Sequence, residues 1–393
     1  MHLYIREIKD KQDKKKFLQL PIVLYKNQKN WIRPLDADIE KVFDKKRNKY
    51  FRNGTATRWL LEDGKGHVIG RIAAFIDFKS ANKKNDQPTG GVGFFECINN
   101  KEAANLLFDT GKQWLEDQGM EAMDGPINFG DRNENWGLHV EGDFPPNYGM
   151  PYHFAYYKEL FENYGFQTYF RQITYKRKIT PSYEGFSQKI IDKSEKLLKD
   201  PNYSFRHIKM SNINNHSEEF RTIYNKAWAG FTGLGPMSKP QAQSIINKLR
   251  KVIDEKLFWV GYYKEEPIAM FLMLPELNQI FKSVNGKMNW WGKLVFLFLH
   301  RRKTITTALG TLFGVVPEHQ GKGAESAIIM AFADMVKETK NFQYKDIEMN
   351  WIGDFNPKMI RIVEQIGGKE HKIHHTYRYL FDRTKEFKRM PKH

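Results

Sequence analysis

Two short stretches of this chain recur 202 residues apart: Gly165 answers to Gly367, and Thr174-Tyr175-Lys176 answers to Thr376-Tyr377-Arg378. A match at one fixed offset, with the same order of elements around it, indicates a module that occurs twice. The first copy reads as a strand (Leu3 to Ile8), a helix through Phe17, Leu18, Leu20 and Leu24, and a hairpin of Thr57 to Glu62 with Val68 to Phe78. Next come a strand (Val92 to Ile98), a helix from Lys101 to Gln118 that Gly119 stops, a helix (Phe154 to Tyr164), and a strand (Tyr169 to Lys178) that closes this half. The second copy repeats the order: strand Phe205 to Met210, helix through Phe220 and Trp228, a glycine loop at Gly230, Gly233 and Gly235, helix Pro240 to Ile253, and hairpin Leu257 to Tyr263 with Ile268 to Leu274. Strand Thr306 to Val316, helix Ala324 to Thr339, strand Asp346 to Ile352, helix Pro357 to Ile366 and a final strand through Tyr377 complete it. The expected fold is α/β with a mixed sheet: residues 1–180, a connector 181–203, and residues 204–393.

The copies differ at one place. In the second, an apolar strand passes into a helix through Pro317-Glu318-His319-Gln320-Gly321-Lys322-Gly323-Ala324, whereas in the first the equivalent passage is Asn99-Asn100. Glycines where a strand hands over to a helix let the backbone come close to a ligand, and the first amides of the helix have no partner within it. That is a cradle for a pyrophosphate. A second irregular stretch, Gly125 to Gly137, is too long for a simple turn and reads either as a surface loop held by Asn and Asp turns or as a binding loop.

With 393 residues, 40% of them hydrophobic and 14% aromatic, the chain has ample material for real cores. Cys97 is its one cysteine, which excludes an intrachain disulfide framework and a cysteine metal cluster. A charged N-terminal stretch without an apolar run argues against a secretory leader, so a reducing cytoplasm is the expected home. Net charge is +17, from 63 Lys and Arg against 46 Asp and Glu, which favours an anionic partner. The basic residues are dispersed and no nucleic-acid motif accompanies them, so a polyphosphate cofactor or an acidic lipid surface is expected rather than nucleic acid. His300, His319 and His371-Lys372-Ile373-His374-His375 meet no zinc spacing and read as structural or surface histidines, so no metal is expected.

Val315 to Ala327 resembles the acyl-CoA-binding motif of GNAT acyltransferases, Q/R-x-x-G-x-G/A, with Gln320 and Gly323 in place and Glu325 where Gly or Ala is usual. Asn356 to Gly368 resembles the later helix of that family. Further likeness to bacterial tandem-GNAT proteins runs through Gly93-Phe94-Phe95-Glu96-Cys97, Gly125-Pro126-Ile127-Asn128, Leu274-Pro275-Glu276-Leu277-Asn278 and Tyr377-Arg378-Tyr379. Bacterial lipid N-acyltransferases, ceramide synthases among them, are similar in outline. The resemblance implies two tandem GNAT-like modules and transfer of an acyl group, acetyl or longer, from acyl-CoA to a primary amine. It implies an oxyanion donor at the amide of Val315 or Val316, with pyrophosphate held by Gln320, Gly321, Lys322, Gly323 and Ala324, and a further cofactor contact at Asn356. Glu325 is expected to point away from a pyrophosphate.

The family's tyrosine acid is replaced by Val363, and the motif strand lacks the glutamate many members use as base. Candidates for the base are therefore Glu276, just past an apolar strand, and Glu348 and Asn350, which share one face of theirs; Asp354 and Asn356 follow in the next loop. Tyr377 is the candidate proton donor, against the alternative that it is packed. The segment Phe281 to Lys303 joins Trp290-Trp291 and Leu294 to Leu299 with His300-Arg301-Arg302-Lys303. It reads equally as a surface for an anionic membrane, giving a lipid acceptor and a peripheral position at the inner membrane face, or as a buried helix with a solvated end. The absent acid and base residues keep a non-catalytic acyl-CoA-binding protein as the competing class.

Overall fold

The computed structural model describes residues 2–83, 85–228 and 235–392. Gly230 and Gly233 of the expected glycine loop lie outside the described residues. The first copy contains β1 (Leu3–Glu7), α1 (Lys11–Leu24), α2 (Asp36–Val42), β2 (Gly54–Asp63), β3 (Val68–Asp77), β4 (Thr89–Cys97), α3 (Lys101–Glu116), β5 (Ala122–Gly125), β6 (Leu138–Glu141), α4 (Tyr156–Tyr164) and β7 (Gln167–Lys178). The rest of the chain forms α5 (Gln188–Leu198), β8 (Tyr203–His207), α6 (Ile213–Ala227), α7 (Lys239–Leu249), β9 (Phe258–Tyr263), β10 (Glu266–Pro275), α8 (Asn278–Phe281), α9 (Trp290–Arg301), β11 (Thr307–Val315), α10 (Ala324–Glu338), β12 (Asp346–Gly353), α11 (Pro357–Gln365) and β13 (Lys369–Leu380).

All thirteen strands of the described residues join one mixed sheet in the order β1-β2-β3-β4-β5-β13-β7-β12-β11-β10-β9-β8, with β6 against β13. The halves are therefore not closed by their own last strands. β7 pairs with β12 of the second half, and β13 pairs with β5 of the first. The two exchanged strands lie antiparallel, and Gln172 is directly opposite His374. Those residues are 202 apart, so the repeat's pseudo-dyad passes between them. Exchange leaves no free edge at the centre of the sheet, and the two cores share a continuous ladder.

Amphipathic spacing sets the layers. Ala103, Ala104, Leu107, Phe108 and Leu115 put one face of α3 on the first sheet half, and the even more apolar α10 buries Ala327, Ile328, Ile329 and Phe332 on the second. The connector is part of the second core, because α5 packs Ile190 and Leu197 against the cluster that includes α10. Among the described residues no helix is long and apolar enough to cross a membrane.

The parallel pair β4–β5 and its counterpart β11–β12 explain the asymmetry of the copies. Each pair is hydrogen-bonded for only a few residues: Thr89–Gly91 with Ala122–Asp124, and Thr307–Gly310 with Asp346–Met349. In the first half the stretch after β5 folds into the divergence. The Ile127 amide donates to the Val92 carbonyl (2.8 Å), and a Cβ at Gly93 would lie 1.9 Å from the Ile127 carbonyl oxygen. Phe129 and Trp136 are buried against Phe75 and Phe170. The two ends of the segment, residues 125–129 and 136–137, are thus a packed plug, whereas Asp131 to Glu134 between them form an exposed loop. In the second half a Cβ at Gly310 would meet Met349 and the Glu348 carbonyl oxygen only at ordinary contact distances, 3.6 to 3.8 Å.

Candidate functional site

Where β12 parts from β11, the latter carries a β-bulge: Leu272 of β10 pairs with Leu312, Met273 with Gly310, and Thr311 is the extra residue. Bulges bend a strand and re-aim its amides. Beyond the bulge the Val316 amide donates to the Ile268 carbonyl (2.8 Å), so by alternation the amides of Phe313 and Val315 face the gap that β12 has left. Val316 is therefore engaged with β10, whereas the Val315 N–H is directed into the gap.

The loop that follows is shaped by its glycines. Gly321 (φ 73°) has open space where a Cβ would be, and Gly323 (φ 113°) is the N-cap of α10. A Cβ on Gly323 would approach the Lys193 carbonyl of α5 to 2.7 Å, so neighbouring backbone as well as φ requires glycine there. The first intrahelical bond runs from Ala327 to the Gly323 carbonyl (2.9 Å), which leaves the amides of Gly323, Ala324, Glu325 and Ser326 at the positive end of the helix. Gln320 donates through Nε2 to the Val315 carbonyl (2.8 Å), tying the loop to the end of β11, and Lys322 is exposed. Glu325 does not point away. Its Oε1 accepts from the Gly321 amide at 3.1 Å. A carboxylate in the first helical turn is itself an anion at the helix's positive end, and that attraction sets its rotamer.

At the other end of β11 the chain assembles a buried polar centre. The apolar strand β10 ends at Pro275, and the Glu276 amide donates to the Thr307 carbonyl (3.0 Å), which turns the Glu276 side chain inward. Its Oε1 accepts from the amides of Asn278 and Tyr148, both at 2.9 Å, while Oε2 has no partner among the described residues. Burial pushes this carboxyl up to about 7, against the pull of the two amides and Lys372. On β12, buried Glu348 forms an ion pair with buried Lys372 of β13. The Lys372 ammonium also donates to the Pro145 carbonyl (2.9 Å) and Asn147 Oδ1 (2.5 Å). His371 lies 3.8 Å from Glu348 and stacks on Phe144 (3.9 Å), and burial lowers its imidazole to about 4.

Glu276 and Glu348 thus meet in one centre. The other candidates stand elsewhere. Asn350 turns its Oδ1 onto the following amide, of Trp351 (2.9 Å). Asn356 caps α11 by accepting from Met359, Asp354 pairs with Arg389, and Val363 is buried in the core. Tyr377 is fully buried, packed on Phe161 in the core of the first half, with its hydroxyl donating to Glu162 (3.0 Å). It lies five residues along β13 from Lys372, about 16 Å at ~3.3 Å per residue, and faces the opposite side of the sheet. His319 accepts from or donates to the Tyr203 hydroxyl (2.9 Å), and His300 stacks on Phe296. Sequence reasoning missed Lys372, Asn147 and Tyr148. Lys372 stands within the cluster considered only for its histidines, yet Lys372, His374, Thr376 and Arg378 alternate along β13 and are all buried, a period-2 polar face that marks a strand with buried partners.

No family model matches the chain. It is 26% identical over 380 residues to a protein of Caulobacter vibrioides named bacterial ceramide synthase, covering 95% of this chain and 97% of that one. It is 24% identical to protein YghO of Escherichia coli, over 95% and 94% of the two chains. Among solved structures, a tandem GNAT protein from the clavulanic acid biosynthesis pathway aligns over 97% of this chain and 99% of its own, with a TM-score of 0.54 at 9% identity. A fungal multi-domain β-N-acetylglucosaminidase with a GCN5-related glucosamine N-acetyltransferase region gives 0.55 at 12% identity; this chain covers 38% of its length. The chain has the tandem GNAT fold. Fold and relatives together support an N-acyltransferase in general.

Proposed function

We propose that this protein transfers an acyl group from acyl-CoA to a primary amine, with the donor entering the gap between β11 and β12 and Glu276 acting as general base. The observation that carries the reading is the alignment of three parts along β11. The glycine loop follows its C-terminal end, the gap-facing amides of Phe313 and Val315 lie just before that end, and a buried carboxylate stands beside its start. From Val315 back to Leu309, the partner of Glu348, is about 20 Å of strand, comparable to an extended phosphopantetheine arm. The pyrophosphate would take the amides from Gly321 to Ala324, with Lys322 beside them; carbonyls of the arm would meet the Phe313 and Val315 amides, and the thioester would lie farther back along β11, toward Leu309 and Glu276. Glu276 Oε2 would take a proton from the substrate ammonium. The freed amine nitrogen would then attack the carbonyl, forming the C–N bond as the C–S bond breaks, and the proton that the nitrogen sheds would go to the leaving CoA thiolate.

The name of the Caulobacter relative, together with the apolar surface of α9, favours a lipid amine acceptor and a long acyl chain over a small amine and acetyl. The test is thiol release from acyl-CoAs of graded length with small amines and with a sphingoid base, alongside calorimetry with CoA. Amine-dependent release is expected. CoA binding without release for any amine would leave the non-catalytic reading standing, and no heat at millimolar CoA would remove both.

Glu325 makes a separate prediction. Its carboxylate occupies a donor that the pyrophosphate would use, so Glu325→Ala is expected to tighten CoA binding by roughly two- to fivefold, the 0.3–1 kcal/mol of a charge at a helix end. Equal or weaker binding by calorimetry would mean the anion does not reach Gly321.

A further inference from the structure

Helix α9 presents its apolar side outward. Trp290, Trp291, Leu294, Leu297 and Phe298 are each 50% to 70% exposed, and they make up five of the eleven large hydrophobic residues that are exposed among the described residues. Their spacing places them on one face about 120° wide at 100° per residue. The opposite face holds the helix to the protein: Phe296 stacks on Phe281 (5.7 Å), Val295 packs in the same cluster, and Leu299 reaches the second core. The expected alternatives were a membrane surface and a buried helix, and the burial half of that choice is excluded by this geometry. Asn289 caps the helix by accepting from Gly292 (2.9 Å), so the face is a built element.

Charge decides what covers it. Between Glu276 and Glu318 the chain carries Lys282, Lys287, Lys293, Arg301, Arg302 and Lys303 and no acidic residue. All six cations are exposed, and among the described residues none is paired with a carboxylate. In helical projection Lys293 borders the apolar face on one side and Arg302 on the other. A second copy docked through the same face would set these cations against their own likeness, which disfavours a symmetric dimer. An anionic headgroup layer complements both the apolar face and its rim. The helix is about 18 Å long, enough to lie in an interface and too short to span one.

We propose that α9 docks the protein on an anionic phospholipid bilayer, lying in the boundary between headgroups and acyl chains. The contact chain then runs inward without a break: Phe296 meets Phe281, Phe281 meets the Tyr148 ring (5.2 Å), and the Tyr148 amide binds Glu276. Docking therefore sets the Glu276 carboxylate one helix away from the lipid surface, where an amine carried by a membrane lipid reaches it. That last statement rests on the acyltransferase reading, whereas the docking does not.

The test is flotation of the full chain with vesicles of phosphatidylcholine alone or mixed with phosphatidylglycerol, with CoA calorimetry on the same preparations. Flotation is expected with the anionic vesicles, falling with salt. Trp291→Ser/Phe298→Ser is expected to lower partition about tenfold or more. Arg301→Gln or Arg302→Gln should each lower it roughly fivefold, the equivalent of about 1 kcal/mol per cation. CoA heat should be unchanged in every variant, which also reports that each is folded. Absence of flotation with CoA heat intact overturns the docking and spares the acyl-CoA reading. Flotation without CoA heat does the reverse. A wild-type dimer that the double variant splits overturns docking in favour of a second copy.

Discussion

Glu276→Gln is expected to abolish amine-dependent thiol release and, at pH 8, to raise the melting temperature. Both effects have one cause. The carboxyl is buried among apolar groups, which lifts it from its ordinary 4.5 to about 7. The folded protein therefore holds this proton more tightly than the unfolded chain does. Stability from the group is complete below about pH 4.5 and is lost as pH rises through about 7; at 1.36 kcal/mol per pH unit, the loss is on the order of 3 kcal/mol. Gln keeps the oxygen that accepts from Asn278 and Tyr148 and carries no charge to bury. Its advantage over the wild type should be present at pH 8 and vanish near pH 4. Activity should move the opposite way. A base with this pKa gives kcat/KM that rises tenfold per pH unit below about 7 and flattens above, and its removal costs about a hundredfold to ten-thousandfold. Melting curves that differ equally at both pH values, or a variant with unchanged rate, would refute the assignment.

Lys372→Met is expected to cost about 3–5 kcal/mol of stability in urea unfolding, because it leaves Glu348 buried without its cation. Its loss also releases the Pro145 carbonyl and Asn147, so it loosens the first-half loop that supplies Tyr148. His371 does not compensate at neutral pH, since burial and the neighbouring lysine hold its imidazole low, at about 4. With Lys372 gone, His371 should take a proton more readily beside Glu348, and the deficit should shrink as pH falls. Adding Glu348→Gln to Lys372→Met should recover much of the loss, because the charge left behind, more than the missing contact, is the source of the cost. If the double variant is as unstable as the sum of the two single changes, the pair is not coupled and the polar centre is not the unit described here.

The elements along the chain were legible because their signals are local. An apolar run followed by glycines and a helical period announces a strand, a loop and a helix whatever surrounds them, and the loop at Gly321 and Gly323 folds as such. Glu276 was legible as the first polar residue beyond an apolar strand. Glu325 shows where local reading fails. Repulsion from an imagined phosphate argued that it turns outward, whereas attraction to the helix end and the Gly321 amide holds it on the loop. The plug at Ile127 was illegible because its cause is the backbone of Val92 and Gly93, a strand and a helix away.

By itself the sequence determined that a module occurs twice and that a single copy passes from this strand to its helix through glycines, since an offset of 202 residues and a pair of glycines are properties of the chain alone. Only the tertiary structure decided which groups stand beside Glu276 and Glu348. Lys372 arrives on a strand exchanged between the halves, and Tyr148 and Asn147 on a loop of the copy without the glycine loop. The tertiary structure likewise decided that α9 turns its tryptophans outward, because the outward face of a helix is set by what its other face can pack against. Strand exchange depends on contacts between residues more than a hundred positions apart, and the inward face of α9 on a cluster that joins Phe281 and Val284 to Leu35, so no single window along the chain contains all the partners.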